Sequence, residues 1–313
     1  MSDSGDSHLD DVRLDQSNRI TRRIAHGAYR ILHGHRIVGD EAWGIFGLLN
    51  GGYRLLTEIE QDWPAPHQQR ICLDVDAHWQ PKTSWLQLEI EGVRHNAKYT
   101  IAGGNVRIDI QHATVQRDEQ SVRPSSSPHS QRRPGMQPAP SQAGYGLSQS
   151  NRLLLEQMIA WEEDELTSGL EAFRNRARAV GQPVNSRSHL PFGNSTHLDF
   201  ASTLSNFIVL QRVNLQPGMA AHFDSIVPQL PELTPLRVEQ SYTCQGEEPV
   251  RGDPAKPITR RYQITESSPD HSSGAAASPT VFWADEHGIV LAQELTIGGE
   301  PHGCEMIRYT WLG

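Results

Sequence analysis

The stretch Arg70-Ile71-Cys72-Leu73-Asp74-Val75-Asp76-Ala77-His78-Trp79 decides the fold class. Ile71, Leu73, Val75 and Ala77 alternate with Cys72, Asp74, Asp76 and His78. Successive side chains of a strand point to opposite faces of a sheet, so this alternation is the mark of a half-buried strand. The preceding segment repeats it: Tyr53, Leu55, Thr57 and Ile59 alternate with Arg54, Leu56, Glu58 and Glu60. WLQLEIEG from Trp85 and NVRIDIQ from Asn105 alternate as well. Further along, FIVLQRVNL (207–215), LRVEQSYTC (236–244), RRYQITES (260–267), TVFWAD (280–285), GIVLAQELTI (288–297) and EMIRYTWL (305–312) read as strands. Turn chemistry separates such runs at Asn50-Gly51-Gly52, Gly103-Gly104-Asn105, Glu286-His287-Gly288 and Gly298-Gly299. The reading is a mainly β protein.

The strand runs come in two sets of similar order. YRLLTEIE leads into ICLDVDAHW and then WLQLEI; RRYQITE leads into TVFWAD and then IVLAQELTI. In both sets an Asp and a Trp fall near the corner between two strands, which points to duplication of one β unit. The expected organisation is a loose tail over 1–18, a first β half over 19–117, a disordered insertion over 118–150, a helix over 151–181 and a second β half over 182–313. The insertion is rich in Ser, Pro, Gln and Arg and has too little apolar surface to offset its ordering entropy. The helix is predicted from Leu155, Ile159, Leu166, Leu170, Phe173 and Ala177, spaced by three, four and seven. Ser150 caps its start, acids come early and arginines late, and Gly181 ends it.

The formal net charge of −9 and the absence of a basic stripe exclude general binding to nucleic-acid backbones. Three cysteines, Cys72, Cys244 and Cys304, have no CxxC spacing and build neither a disulfide framework nor a zinc knuckle. The start MSDSGDSHLDD has no apolar core for a signal peptide, and no apolar run reaches the length of a membrane span, so the cytoplasm is the expected location. No nucleotide loop, nucleophile elbow or HExxH motif occurs, and no cofactor or metal is expected.

Several segments taken in order resemble the bacterial glycolipid-binding family. The first is the corner Asp76-Ala77-His78-Trp79 between two strands. The second is HLDFASTLSNFIVLQRVNL (197–215), an Asp-led strand pair in which Asp199, Thr203, Asn206 and Arg212 fit, although the family's prolines are missing. Gln240-Ser241-Tyr242, then Arg261-Tyr262, then Asp285-Glu286-His287-Gly288-Ile289-Val290 complete the series. The resemblance implies a spiral β-roll of two similar half-barrels and an amphipathic ligand, a lipid or glycolipid, held in a groove.

Its candidate ligand-binding residues are Arg54, Asp74, Asp76, His78, Trp79, Arg212, Tyr242, Arg261 and Trp283. Arg54, Arg212 and Arg261 would meet an anionic or sugar group, and the tryptophans a ring or acyl chain. The strand set with Asp74, Asp76 and His78 is equally the solvated outer face of a sheet, the default for polar-out alternation. Two other readings stay open. One is a hydrolase or isomerase that works on an apolar substrate with His and Asp as acid and base. The other is an interaction protein with a protein partner at 118–181.

Overall fold

The computed structural model describes residues 19–114, 186–267, 278–297 and 299–313. The predicted tail, the insertion and the 151–181 helix lie outside the described residues. Among the described residues fifteen strands form one sheet. The first arm holds β1 (Ile20–His33), β2 (Arg36–Leu48), β3 (Tyr53–Gln61), β4 (His67–Val75), β5 (Pro81–Ile90), β6 (Val93–Ala102), β7 (Asn105–Thr114) and β8 (Ser186–Pro191). The second arm holds β9 (Thr196–Leu198), β10 (Ala220–Gln229), β11 (Thr234–Pro249), β12 (Ile258–Ser267), β13 (Thr280–Ala284), β14 (Val290–Ile297) and β15 (Glu300–Trp311). A helix, α1 (Thr203–Arg212), follows β9.

Within each arm neighbours in sequence are neighbours in space. The arms meet where β15 pairs antiparallel with β1, with Ala25 opposite Trp311 and His33 opposite His302. The sheet is open, with β8 and β9 at its edges. Among the described strands only the β9–β10 pair is parallel. Tight hairpins are made where the sequence permits left-handed backbone: Gly103 and Gly104 take φ of 57° and 73° between β6 and β7.

The sheet curls around α1. Leu55, Leu73, Leu86, Tyr99 and Ile108 from the first arm share one core with Ile226 and Ile289 from the second and with Leu204, Phe207 and Ile208 of the helix. Val209 and the flanking Leu210 and Val213 join Phe223, Tyr242, Tyr262 and Phe282 in the second arm. The helix is therefore buried on both sides, continuously from Thr203 to Val209.

This corrects the strand reading of Phe207–Leu215. An unbroken apolar run such as Phe207-Ile208-Val209-Leu210 fits a buried strand or a buried helix equally well, since neither leaves a polar face. Local capping helps choose the helix: Ser202 Oγ accepts the Leu204 N–H at 3.2 Å. Ser205 Oγ accepts the Phe200 N–H at 3.1 Å. The other runs read as strands are strands, in the predicted order.

Candidate functional site

Two corners of like geometry bracket the C-terminal half of α1. At the first, between β4 and β5, the Asp76 N–H donates to Gln80 O and the Trp79 N–H to Asp76 O, both at 2.9 Å. Asp76 Oδ1 accepts the N–H groups of His78 and Gln80 at 2.9 and 3.0 Å. At the second, between β13 and β14, the Asp285 N–H donates to Ile289 O and the Gly288 N–H to Asp285 O, both at 3.0 Å. Asp285 Oδ1 accepts the N–H groups of His287 and Ile289 at 3.0 and 2.8 Å. An Asp is needed because its short carboxylate reaches its own backbone two and four residues on.

The first corner delivers Trp79 to the helix. Its ring stacks on Tyr53 with centroids 4.1 Å apart and meets Phe207 edge-on at 5.2 Å. The second corner touches the helix through its backbone: Gln211 Nε2 donates to His287 O at 2.7 Å. Beyond these contacts lies a polar group. The Tyr242 hydroxyl donates to Asn206 Oδ1 at 3.2 Å, and Asn206 Nδ2 donates to Gln293 Oε1 at 2.7 Å. Burial lifts the Tyr242 hydroxyl well above its ordinary range, so it is neutral and a donor.

Arg212 closes α1, where a cation suits the helix dipole. Its Nη1 donates to Thr196 O at 2.9 Å and its Nη2 to Asn194 O at 2.5 Å. Its guanidinium lies 4.9 Å from the Phe223 ring centre. Burial brings its pKa down to about 10, against the pull of the Asp76 carboxylate. Among the described residues no carboxylate lies within ion-pair distance of it, and its Nε–H has no acceptor. Beside it His197 is fully buried, with both ring nitrogens unpartnered. Burial, then the Arg212 charge, drive the His197 pKa down to about 3, so the ring is neutral.

Eight of the nine residues named from sequence fall into three places, and the ninth, His78, is exposed. Asp76, Trp79, Arg212 and Tyr242 surround the C-terminal half of α1. Arg54 and Asp74 form a buried, two-pronged ion pair on the opposite face of the first arm, Nε to Oδ1 at 2.6 Å and Nη2 to Oδ2 at 2.7 Å. Burial opposes the Arg54 charge, but Asp74 more than offsets this and holds the guanidinium above its ordinary range. Arg261 and Trp283, neighbours across β12 and β13, share Glu248: Trp283 Nε1 donates to Glu248 Oε1 at 2.8 Å, with Arg261 Nε at 3.5 Å.

The polar cup of Asp74, Asp76 and His78 does not assemble. Asp74 lies within β4 and is committed to Arg54, while Asp76 and His78 lie past its end and His78 is exposed. Asp76 is held below the ordinary carboxylate range: burial works against this, but the Lys82 ammonium at 2.8 Å and the two backbone N–H groups prevail. Its task is the corner. No acid–base pair of His and carboxylate follows from these residues.

Sequence reasoning missed the other end of α1. Glu41 of β2 is buried beneath the helix start, and its Oε1 accepts from Ser202 Oγ at 2.7 Å, Thr57 Oγ1 at 2.9 Å and Thr203 Oγ1 at 3.2 Å. Burial raises its pKa, and the three hydroxyls pull it back in part. The one signal available was an acid inside the apolar run Ala42-Trp43-Gly44-Ile45-Phe46 and its flank. His197 carried no signal at all.

Among the described residues no cluster of three His, Cys, Asp or Glu is placed to hold a metal ion, and no helix is long and apolar enough to cross a membrane. No family model matches the chain. No curated protein matches it either. Among solved structures, a β-barrel-like protein of the domain of unknown function DUF1849 from Brucella abortus is similar at 10% identity and a TM-score of 0.48, covering 93% of this chain and 99% of its own. A DUF1089 family protein from Pseudomonas aeruginosa is similar at 15% identity and a TM-score of 0.38, covering 80% of this chain and 87% of its own.

Proposed function

We propose that the protein binds an amphipathic small molecule at the C-terminal half of α1. The head group meets Arg212, and the apolar part lies along Trp79 and Tyr53. The observation that carries this reading is the Arg212 guanidinium: half-buried, partly desolvated, without an ion-pair partner among the described residues, and set beside a neutral His197 with both nitrogens unused. A buried polar group without a partner is costly, and a ligand that supplies the missing acceptor recovers that cost. A carboxylate or phosphate suits a guanidinium best because both oxygens can be engaged at once. A partly exposed Trp stacked on a Tyr is a rigid apolar platform of the kind that receives an alkyl chain or the face of a sugar ring. Lipids and glycolipids belong to this class of ligand.

An enzymatic reading has less to stand on. His287 lies 3.8 Å from the carboxylate of the adjacent Glu286, whose side chain is largely exposed and not set in a cleft with it. The buried His197 is neutral, and among the described residues no acid lies within hydrogen-bonding distance of it.

The test is titration with a fluorescent long-chain fatty acid, after native mass spectrometry has shown whether a ligand co-purifies. Loss of one charged contact of about 1.5–3 kcal/mol weakens binding about 10- to 100-fold. Arg212→Gln should show that loss, and Arg261→Gln should leave affinity unchanged. Equal affinity of Arg212→Gln and the parent, or no binding by the parent, would remove the proposal.

A further inference from the structure

Along β6 and β7 the face turned toward α1 is apolar until it reaches a pair of histidines. Tyr99 stands opposite Ile108 and Ala97 opposite Ile110, and all four belong to the core around α1. Two residues further along each strand, on the same face, His95 stands opposite His112. The two rings meet edge to face, with centroids 4.7 Å apart and planes at 70°. Nδ1 of one lies 2.8 Å from Nδ1 of the other. The pair belongs to the start of α1, not to its C-terminal half. Leu88 of β5 stands opposite His95, and Gln69 of β4 opposite Leu88. Gln69 Nε2 donates to Phe200 O at 3.0 Å, just ahead of α1, and Phe200 meets Tyr99 edge-on at 5.3 Å.

The spacing of the nitrogens selects a kind of cation. At a metal–nitrogen length of about 2.0–2.1 Å, two imidazoles at a right angle hold their nitrogens about 2.9 Å apart, and two at the tetrahedral angle about 3.4 Å. The 2.8 Å between the two Nδ1 atoms fits the right angle of square-planar or octahedral coordination. Imidazole nitrogens in that arrangement suit Cu²⁺ and Ni²⁺, whereas Ca²⁺ and Mg²⁺ take oxygen ligands. The χ2 torsion of histidine is broad, so each ring can turn its Nδ1 lone pair toward a common point with little strain. The local field has the right sign as well. Burial first, then the His112 ring, hold His95 below its ordinary range, and the Glu232 carboxylate from the turn between β10 and β11 opposes them. A carboxylate acting on the pair favours a cation there.

We propose that His95 and His112 form a cross-strand chelate, through their Nδ1 atoms, for one divalent transition-metal ion of the Cu²⁺ or Ni²⁺ class. Two protein nitrogens hold the ion and water takes the remaining positions. No third side-chain ligand is required, and among the described residues none is placed for it. The two histidines are 17 residues apart, so no ligand motif marks them in the sequence. Antiparallel pairing of β6 with β7 brings them together.

The full chain is titrated with Cu²⁺ and, separately, with Ni²⁺ by calorimetry, and the Cu²⁺ complex is measured by electron paramagnetic resonance. The expected result is a site for one ion per chain, with splitting from two imidazole nitrogens. His95→Gln and His112→Gln should each weaken that site about 100-fold, because the second nitrogen of a chelate binds at high effective concentration. His78→Gln, at the exposed histidine of the Asp76 corner, should leave it unchanged. Parent-like affinity in both pair variants overturns the proposal, and so does an equal loss in His78→Gln. If a pair variant loses the circular-dichroism spectrum of the parent, the unmodified protein decides by NMR. Substoichiometric Cu²⁺ should then broaden the amide signals around His95 and His112 before any others. Broadening that begins elsewhere, or no binding of either ion by the parent, overturns the proposal.

Discussion

The corners at Asp76 and Asp285 make the same four backbone hydrogen bonds within 0.2 Å, but spend the third residue after the aspartate differently. Both positions are left-handed, with φ of 61° at Trp79 and 82° at Gly288. At the second corner glycine takes this conformation freely, and helix α1 comes close: a Cβ on Gly288 would lie 2.7 Å from Gln211 Nε2. At the first corner a tryptophan tolerates an unfavourable backbone, because its ring stacks on Tyr53 and packs against Phe207. Geometry is set by the aspartate; contact with the helix is set by what occupies the left-handed position. One corner reaches the helix with a side chain, the other lets the helix reach its backbone.

The largest effect is expected at Trp79. Trp79→Ala should cost about 3 kcal/mol in denaturant unfolding, for the lost stack on Tyr53 and edge on Phe207. A loss below about 1 kcal/mol would mean that this corner does not hold the helix. The aspartates come next. Asp285→Ala should cost about 2 kcal/mol and Asp76→Ala about 1 kcal/mol, because Asp285 also accepts the Tyr309 hydroxyl at 2.5 Å. A double-mutant cycle checks the reason: Tyr309→Phe should add almost nothing to Asp285→Ala. Gly288→Ala follows at about 1 kcal/mol, from the left-handed backbone and the displaced Gln211 amide. Equal stability of Gly288→Ala and the parent would show that the close approach of α1 is not needed.

The smallest effect is electrostatic and distinguishes the corners by pH. Asp76 titrates below its ordinary value of 3.8, so its ion pair with Lys82 contributes above that value. The contribution is lost as the pH falls through the depressed folded value, since the unfolded chain then binds the proton first. Lys82→Ala should flatten the acid limb of the stability profile slightly, with no change near neutrality. An unaltered acid limb would show that the backbone N–H groups alone hold the carboxylate.

How much was legible in the sequence follows from where polar and apolar residues alternate, not from which faces meet water, since Arg54–Ile59 and Ile71–Val75 are buried on both faces. β3, β4 and β5 announce themselves because each is apolar on one face and polar on the other. β1 and β2 do not, for two reasons. Their middle runs, such as Ala42-Trp43-Gly44-Ile45-Phe46-Gly47-Leu48, carry no polar–apolar alternation, and bulges between Ile20 and Arg22, between Arg23 and Ala25 and between Ile31 and Leu32 break the period. α1 was hidden for a related reason: enclosed on both sides, it kept no polar face to reveal a helical repeat. At the candidate site, Arg212, Trp79, Tyr242 and Asp76 were named from motifs; their convergence on one helix was not foreseeable, because they come from α1, β11 and a corner of the other arm. Glu41 and His197 escaped notice because burial alone gives them their character.

The sequence by itself determined the strand class, the order of the strands and the two Asp corners. Those depend on side-chain alternation and on hydrogen bonds within five residues, both local properties. Only the tertiary structure decided which face of each strand turns toward α1, that Phe207–Arg212 is helix, that Arg54 and Asp74 neutralise each other away from the site, and that Arg212 stands beside His197 with no acid to pair with among the described residues. These are outcomes of burial and of contacts between distant strands. A one-residue change of register would exchange the faces, and nothing within a single strand forbids it.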